Sequence, residues 1–178
     1  INILPNEFEL AFALASVYKL DFIQLDYISG EYTTGSSAKT KKLDIIHYEK
    51  FRKHFPRIKV LGGVHPKYYT PVLNSNLQED IDNAKERCDA IVVTGEGTGK
   101  ETPFDKIKNF RSKIGNNFPI IIGAGLNELN VREQLSIVDG AIVGSYLKEQ
   151  GQAFNKIERA RVKDFMSQVN RLRVDTLL

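Results

Sequence analysis

Two glycine corners in the last third of the chain combine residue types that bind phosphate groups. Gly123 and Gly125 stand in the segment PIIIGAGL, and Gly144 and Ser145 stand in the segment DGAIVGSY. Glycine turns leave backbone N–H groups unhindered, and a short helix that begins at such a turn adds a partial positive charge. We therefore expect these four residues to bind one phosphate group together.

The glycine-rich stretch TGEGTGKET is similar to two nucleotide-binding motifs but fits neither. A Walker A loop would need glycine where Thr94 stands and serine or threonine where Glu101 stands. A dinucleotide fingerprint that starts at Gly95 would need glycine where Lys100 stands. The stretch predicts a flexible loop at the carboxyl end of a strand, in which Thr94, Gly95 and Thr98 could contact a ligand. The alternative is a connector with no binding role.

Short apolar runs separated by amphipathic segments predict alternating strands and helices. The predicted strands are Ile1 to Leu4, Phe22 to Asp26, Lys59 to Gly63, Ala90 to Thr94, Pro119 to Gly123 and Gly140 to Gly144. Runs such as IVVT are apolar at consecutive positions, which is typical of a parallel strand covered on both faces. The intervals between the strands suit crossover helices, so the sequence predicts βα units instead of a ladder of hairpins.

Six βα units could form an open doubly wound sheet or most of an eightfold barrel. A dinucleotide-binding sheet carries its glycine-rich loop after the first strand, where this chain reads PNE. The glycines follow the last strands instead, and the phosphate loops of barrels follow strands seven and eight. The sequence therefore predicts the α/β class and a (β/α)8 TIM barrel, with strands 3 to 8 in a single domain over residues 1–178. We expect two further βα units, about 60 residues, before Ile1.

The composition argues against several classes of protein. The 178 residues contain 42% hydrophobic residues and carry a net charge of +3, which is a weak field for binding nucleic acid. No stretch approaches the roughly 18 consecutive apolar residues of a membrane span. A lone cysteine, Cys88, cannot form an internal disulfide and fits a small buried hydrophobic residue in a reducing compartment. We expect an intracellular, cytoplasmic protein with no membrane span and no nucleic-acid partner.

Several segments together resemble the BtpA family over nearly the whole chain: NILPN, FIQLDYISGEYTTG, DAIVVTGEGTG, PIIIGAGLNELNV and DGAIVGSYLKEQG. The resemblance implies a (β/α)8 barrel of the ribulose-phosphate-binding type, with the phosphate site at the two glycine corners. Cyanobacterial members of the family are associated with photosystem I biogenesis. The chain departs from the family pattern at Gln24 and Asp26, where the family tends to have Arg and Asn, and in the segment from His65 to Lys67.

Four side chains at predicted strand ends are the candidates for catalysis: Asp26, His65, Lys67 and Glu96. In a barrel these ends share one opening. A carboxylate can accept a proton there while a cation stabilises the developing oxyanion, so Asp26 is predicted as general base or metal ligand and Lys67 or His65 as its partner. The alternatives are a backbone-capping role for Asp26 and a turn position for His65. Asp26 and Glu96 could hold a divalent metal, but two carboxylates do not define a metal site, so no cofactor is predicted.

The predicted function is the binding of a small phosphorylated metabolite, with isomerase, epimerase or aldolase-like proton chemistry. A non-catalytic assembly or biogenesis factor is the alternative. The segment from Tyr27 to Lys42 reads as an irregular loop that would suit a partner or a lid. The isolated chain would expose two strand edges, so a homo-oligomer in which a second subunit supplies a strand is also possible.

Overall fold

A computed structural model of the chain describes residues 1–4, 6–35 and 37–175. The helices and strands, in chain order, are α1 (Phe8–Val17), β1 (Phe22–Leu25), β2 (Tyr32–Thr34), β3 (Ser37–Lys41), α2 (Ile45–Arg52), β4 (Lys59–Gly63), β5 (Thr70–Pro71), α3 (Leu77–Arg87), β6 (Ala90–Val93), α4 (Phe104–Ile114), β7 (Ile120–Ile122), α5 (Val131–Leu135), β8 (Gly140–Ala141) and α6 (Arg159–Asp175). Two 3-10 turns, Ser145–Leu147 and Glu149–Gly151, precede α6.

The central sheet is parallel, with its strands in the order β1-β4-β6-β7-β8. Each strand pairs with the next strand of this sheet along the chain: Ile23 lies opposite Val60, for example, and Ile91 lies opposite Ile120. A doubly wound sheet reverses its strand order at a switch point, and this sheet does not. The predicted α/β class with a parallel sheet is confirmed, and the strand order is the one found in barrels.

The first predicted strand, Ile1 to Leu4, is wrong as a strand. It forms one isolated parallel bridge, in which Asn2 lies opposite Gln24 of β1 and the Gln24 N–H donates to the Ile1 carbonyl at 2.7 Å. The Ile3 carbonyl accepts the N–H groups of the next turn, which leads into α1, so the pairing ends there. The five other predicted strands are present in the same order, four of them shorter than expected.

A second, antiparallel sheet of three strands interrupts the βα units, in the order β3-β2-β5. Its strands β2 and β3 lie within the segment from Tyr27 to Lys42, which was expected to be an irregular loop. The Tyr32 side chain on β2 is fully buried, and its hydroxyl donates to the Ser29 carbonyl at 2.8 Å. The hairpin is therefore fixed to the carboxyl ends of the central strands.

Helices cover the central sheet with the faces that their apolar spacing predicts. α3 buries Ile81 and Ala84, and α4 buries Ile107, Phe110 and Ile114. All four residues of β6 are buried, as expected for a strand covered on both faces. Cys88 is buried at the end of α3, which confirms its prediction as a small apolar residue. Among the described residues, no helix is long and apolar enough to cross a membrane.

The same clamp occurs twice at the amino ends of the strands. Asp89 accepts the guanidinium of Arg52 at 2.8 Å and an N–H of β4 at 2.8 Å. Asp139 accepts the guanidinium of Arg111 at 2.6 Å and the first N–H of β7 at 2.8 Å. In each clamp, a helix, the strand that follows it and the start of the next strand meet at one carboxylate. The two clamps fix the position of neighbouring strands relative to each other.

Candidate functional site

A cavity of about 250 Å³ lies at the carboxyl ends of β6, β7 and β8. Its lining includes all four residues that the sequence singled out for phosphate, which are Gly123, Gly125, Gly144 and Ser145. Lys67, from the loop after β4, and Thr98, from the loop after β6, line the same space. The loops after four neighbouring strands therefore contribute to a single pocket.

Gly125 allows two of these loops to pack against each other. Its φ of 73° is left-handed, and a Cβ there would lie 2.2 Å from the Lys100 carbonyl oxygen and 2.4 Å from the Glu101 Cα. Thr102 is fully buried and donates its hydroxyl to the Ala124 carbonyl at 3.2 Å. The loop after β6 thus lies directly on the loop after β7, and the cavity wall is preformed.

Each glycine corner carries a backbone N–H group without an acceptor among the described residues. Within the described residues, the N–H groups of Gly125 and Ser145 donate no hydrogen bond to the protein. Ser145 begins a 3-10 turn of only three residues, so the helix charge expected from the sequence is negligible here. The Ser145 hydroxyl lies close to the loop after β6, where a Cβ on Gly99 would be 3.2 Å from its Oγ. The available donors are therefore main-chain amides and a hydroxyl.

Lys67 and Thr98 are connected across the cavity edge. Lys67 Nζ donates to Thr98 Oγ1 at 3.2 Å, and the Lys67 N–H donates to Thr94 Oγ1 at 2.7 Å. Tyr68 accepts the Thr98 N–H at 2.9 Å, and hydrogen bonds with the Thr98 hydroxyl and N–H lower the pKa of the Tyr68 phenol. Thr94 is buried and positions the loop, whereas Lys67 and Thr98 line the cavity.

Asp26 lies at a neighbouring strand end, outside the lining of this cavity. Its carboxylate accepts the Asn2 side-chain amide at 3.1 Å and the Tyr69 hydroxyl at 3.0 Å. Burial and the nearby Asp26 charge raise the pKa of Tyr69. The hydroxyl therefore stays protonated at neutral pH and acts as a donor to Asp26.

The two remaining candidates for catalysis are also outside the cavity lining. His65 binds Asp80, with 2.8 Å between Nε2 and Oδ2. Glu96 is exposed, and its side chain has no hydrogen bond or ion pair to the described residues. Of the four predicted catalytic residues, Lys67 is the one that the structure brings to the cavity. Gly95 packs its backbone against Glu101 and does not line the pocket either.

Comparison with known sequences identifies the family of this chain. The sequence model of the BtpA family matches residues 1–171. The chain belongs to the BtpA family. It is 33% identical over 178 residues to an uncharacterised protein of Methanocaldococcus jannaschii, with 98% of this chain covered. It is 26% identical over 169 residues to the photosystem I biogenesis protein BtpA of Synechocystis, with 93% of this chain covered. The chain spans 66% of the first relative's length and 58% of the second's.

A solved structure supports the fold of this BtpA-family chain. The putative copper homeostasis protein CutC from Streptococcus agalactiae matches with a TM-score of 0.54 and 16% identity, over 76% of this chain and 61% of that one. At this identity the similarity concerns the fold alone. Together with the strand order, it establishes a TIM-barrel-like α/β fold for the described residues.

The described part of this BtpA-family chain contains no group of three His, Cys, Asp or Glu side chains that could hold a metal ion. Asp26 and Glu96, the pair considered for a divalent metal, have different environments: Asp26 is bound by Asn2 and Tyr69, and Glu96 faces solvent.

Sequence reasoning missed two charged residues beside the site, Asp80 and Lys106. Both carried a signal, since each lies on the apolar face of an amphipathic helix. Asp80 is one helical turn before Ala84 on α3, and Lys106 is one turn before Phe110 on α4. Lys106 donates to the carbonyls of two site loops, at 2.7 Å and 3.2 Å. A charge at an inward-facing helical position indicates a specific partner, because such charges are rarely buried unpaired.

Proposed function

We propose that this BtpA-family chain binds the phosphate group of a small phosphorylated metabolite in the glycine-lined cavity. The observation that carries the proposal is that Gly125 and Ser145, whose N–H groups have no acceptor among the described residues, line one cavity together with Lys67. Backbone amides and a cation are the donors that bind phosphate. No Asp or Glu is among the described residues that line the cavity, and Glu128, which forms a hydrogen bond with the lining residue Tyr146, lies outside that lining.

The size of the cavity supports a small ligand. At about 250 Å³ it is below the usual 300–1,000 Å³ range of pockets for drug-sized molecules. A phosphate group would occupy the glycine corners, and the remaining volume suits a short carbon chain. Asn127 and Tyr146 also line the space, where the Asn127 amide donates to the Gly125 carbonyl at 3.3 Å and Tyr146 forms a hydrogen bond with Glu128.

We further propose that the segment Ile1 to Leu4, which already forms one parallel bridge with β1, and two more βα units complete the five-stranded sheet to an eight-stranded barrel. Beyond β8, an apolar groove of about 490 Å³ is lined by residues that include Leu126, Val138 and Phe165. Parallel strands are normally covered on every side, and the relative from M. jannaschii is longer than this chain. In a closed barrel, β7 and β8 would be strands seven and eight, whose loops form the phosphate site of many barrels.

Proton transfer next to the bound phosphate is the reaction class we propose, as in an isomerase, epimerase or aldolase. Lys67 would stabilise a developing oxyanion, because it lines the cavity and carries a positive charge. Asp26 and His65 follow neighbouring strands and are the candidates to accept a proton from the part of the metabolite that extends beyond the cavity. Glu96 is exposed in the loop after β6 and has no supported role in this chemistry.

A non-catalytic biogenesis factor is the second candidate function. One observation favours it: three of the four predicted catalytic side chains do not line the cavity. The Synechocystis relative also carries the name of a photosystem I biogenesis protein. In that case the cavity would bind a phosphorylated ligand that stabilises the fold, without turning it over.

Calorimetric titration with inorganic phosphate tests the binding proposal. Lys67→Met removes a charged hydrogen bond to the anion, worth about 1.5–3 kcal/mol, so Kd should rise roughly tenfold to a hundredfold. Lys50→Met is the matched control, because Lys50 is an exposed lysine on α2 away from the cavity. Equal phosphate affinity in the wild type, K67M and K50M would disprove the proposed site.

Solvent deuterium exchange into a panel of sugar phosphates separates the two candidate functions. An enzyme of the proposed class should exchange a carbon-bound hydrogen of its substrate, and Asp26→Asn should slow that exchange while leaving the phosphate Kd unchanged. A biogenesis factor should bind phosphate and exchange nothing across the panel. Loss of phosphate affinity in D26N would place Asp26 in anion binding and contradict its proposed role.

A further inference from the structure

The backbone of His65 is held in an unusual conformation at the loop after β4. Its φ is +46°, in the left-handed region that residues other than glycine rarely adopt. Two side chains hold the residue there: the His65 N–H donates to the Tyr32 hydroxyl at 3.2 Å, and the His65 carbonyl accepts Lys106 Nζ at 3.2 Å. Burial raises the pKa of Tyr32, so this hydroxyl stays neutral. Strain that the surroundings enforce in this way is concentrated at functional sites.

The imidazole of His65 has all its described partners on one nitrogen. Nε2 is 2.8 Å from Asp80 Oδ2 and 3.2 Å from Ser75 Oγ. The Ser75 hydroxyl donates to Asp80 Oδ2 at 2.9 Å, and an ionised carboxylate only accepts. The hydrogen between His65 and Asp80 must therefore be on Nε2.

The other ring nitrogen has no partner in the described part of the chain, since no hydrogen bond to Nδ1 occurs there. The His65 side chain is 19% exposed and the Asp80 side chain 12%, so the carboxylate is the more enclosed of the two. A neutral imidazole that donates through Nε2 carries a lone pair on Nδ1. This nitrogen is then available to accept a proton.

We propose that Asp80 is a positioning residue that holds His65 in the Nε2–H tautomer, with Nδ1 as a proton acceptor for the part of the metabolite that extends beyond the cavity. A carboxylate that selects a histidine tautomer in this way is a recurring device in catalysis. The catalytic meaning of the arrangement rests on the proposed proton chemistry. The tautomer itself does not, because it follows from Asp80 and Ser75 in the absence of any ligand.

Nitrogen-15 NMR of the histidine rings tests the tautomer in the wild-type protein. At a pH where His65 is neutral, its spectrum should show a protonated Nε2 and an unprotonated Nδ1. In Asp80→Asn the side-chain amide can donate to Nε2, so the population should move to the Nδ1–H tautomer. Ser75→Ala is the matched control, because it removes a hydroxyl from the same cluster and leaves Asp80 to accept from Nε2.

Two results would overturn the inference: an Nδ1–H tautomer in the wild type, or an unchanged tautomer in a folded D80N. If D80N does not fold, the spectra of the wild type and S75A still decide the assignment. Phosphate titration of the same samples separates this inference from the proposed function. D80N should bind phosphate with the wild-type Kd, and it should lose hydrogen–deuterium exchange with the substrate.

Discussion

Replacing Gly125 by alanine should be among the most damaging single-methyl additions at the site. The left-handed backbone at φ 73° costs an alanine about 1–2 kcal/mol. The new Cβ would also lie 2.2 Å from the Lys100 carbonyl oxygen, and the contacting atoms are backbone, which cannot rotate away. Overpacking of this kind costs about 1–3 kcal/mol. Together we expect G125A to lose about 2–5 kcal/mol of unfolding free energy.

Gly35→Ala provides the control that separates the two contributions. Gly35 also has a positive φ, +52°, but a Cβ there would have nothing within 4 Å. G35A should therefore lose only the conformational part, about 1–2 kcal/mol. Urea unfolding followed by far-ultraviolet circular dichroism measures both, with the slope compared to detect changes in the unfolded state. If G125A is no less stable than G35A, the close packing of the two site loops is wrong.

Three further predictions concern burial and the amino ends of the strands. Burial raises the pKa of the Cys88 thiol to about 12, so iodoacetamide should leave it unmodified at neutral pH until urea unfolds the protein, as mass spectrometry would show. Desolvation lowers the pKa of Lys106 in the folded state below 10.5. At pH values between the folded and the unfolded pKa of Lys106, the unfolded state therefore binds more protons than the folded state. The stability of the wild type relative to Lys106→Met should therefore increase across that window, and a flat difference would contradict the burial of Lys106. Arg111→Met, which breaks the bond to Asp139, should cost about 2–3 kcal/mol. Lys42→Met, at an exposed ion pair, should cost at most about 1 kcal/mol. Equal urea midpoints for R111M and K42M would contradict the larger contribution of Arg111.

The parallel strands could be predicted because burial on both faces leaves consecutive apolar residues, as in β6. The same reasoning overestimated Ile1 to Leu4, where an apolar run lies beside β1 but turns into α1 after one bridge. The β2–β3 hairpin was missed because its strands are short and polar. Its anchor is one residue, Tyr32, whose burial depends on contacts far away in the sequence.

The glycine corners could be located from the sequence because glycine is required where backbones approach closely, as at Gly125. The catalytic candidates were harder to place. A strand-end position fixes the edge of the sheet at which a residue lies, but the loop conformation decides where its side chain points. His65 and Lys67 are two residues apart, yet Lys67 lines the cavity while His65 turns to Asp80. His65 also adopts a left-handed backbone conformation, which no sequence pattern predicts.

The paired Asp89 and Asp139 clamps lie at the opposite end of the sheet from the cavity. They tie strands together through residues outside the cavity lining, so alignment of the strands does not depend on which residues occupy the loops around the cavity. Substitutions in those loops could therefore accumulate without disrupting the parallel sheet. Members of one family could then differ in these loops while keeping the same parallel sheet.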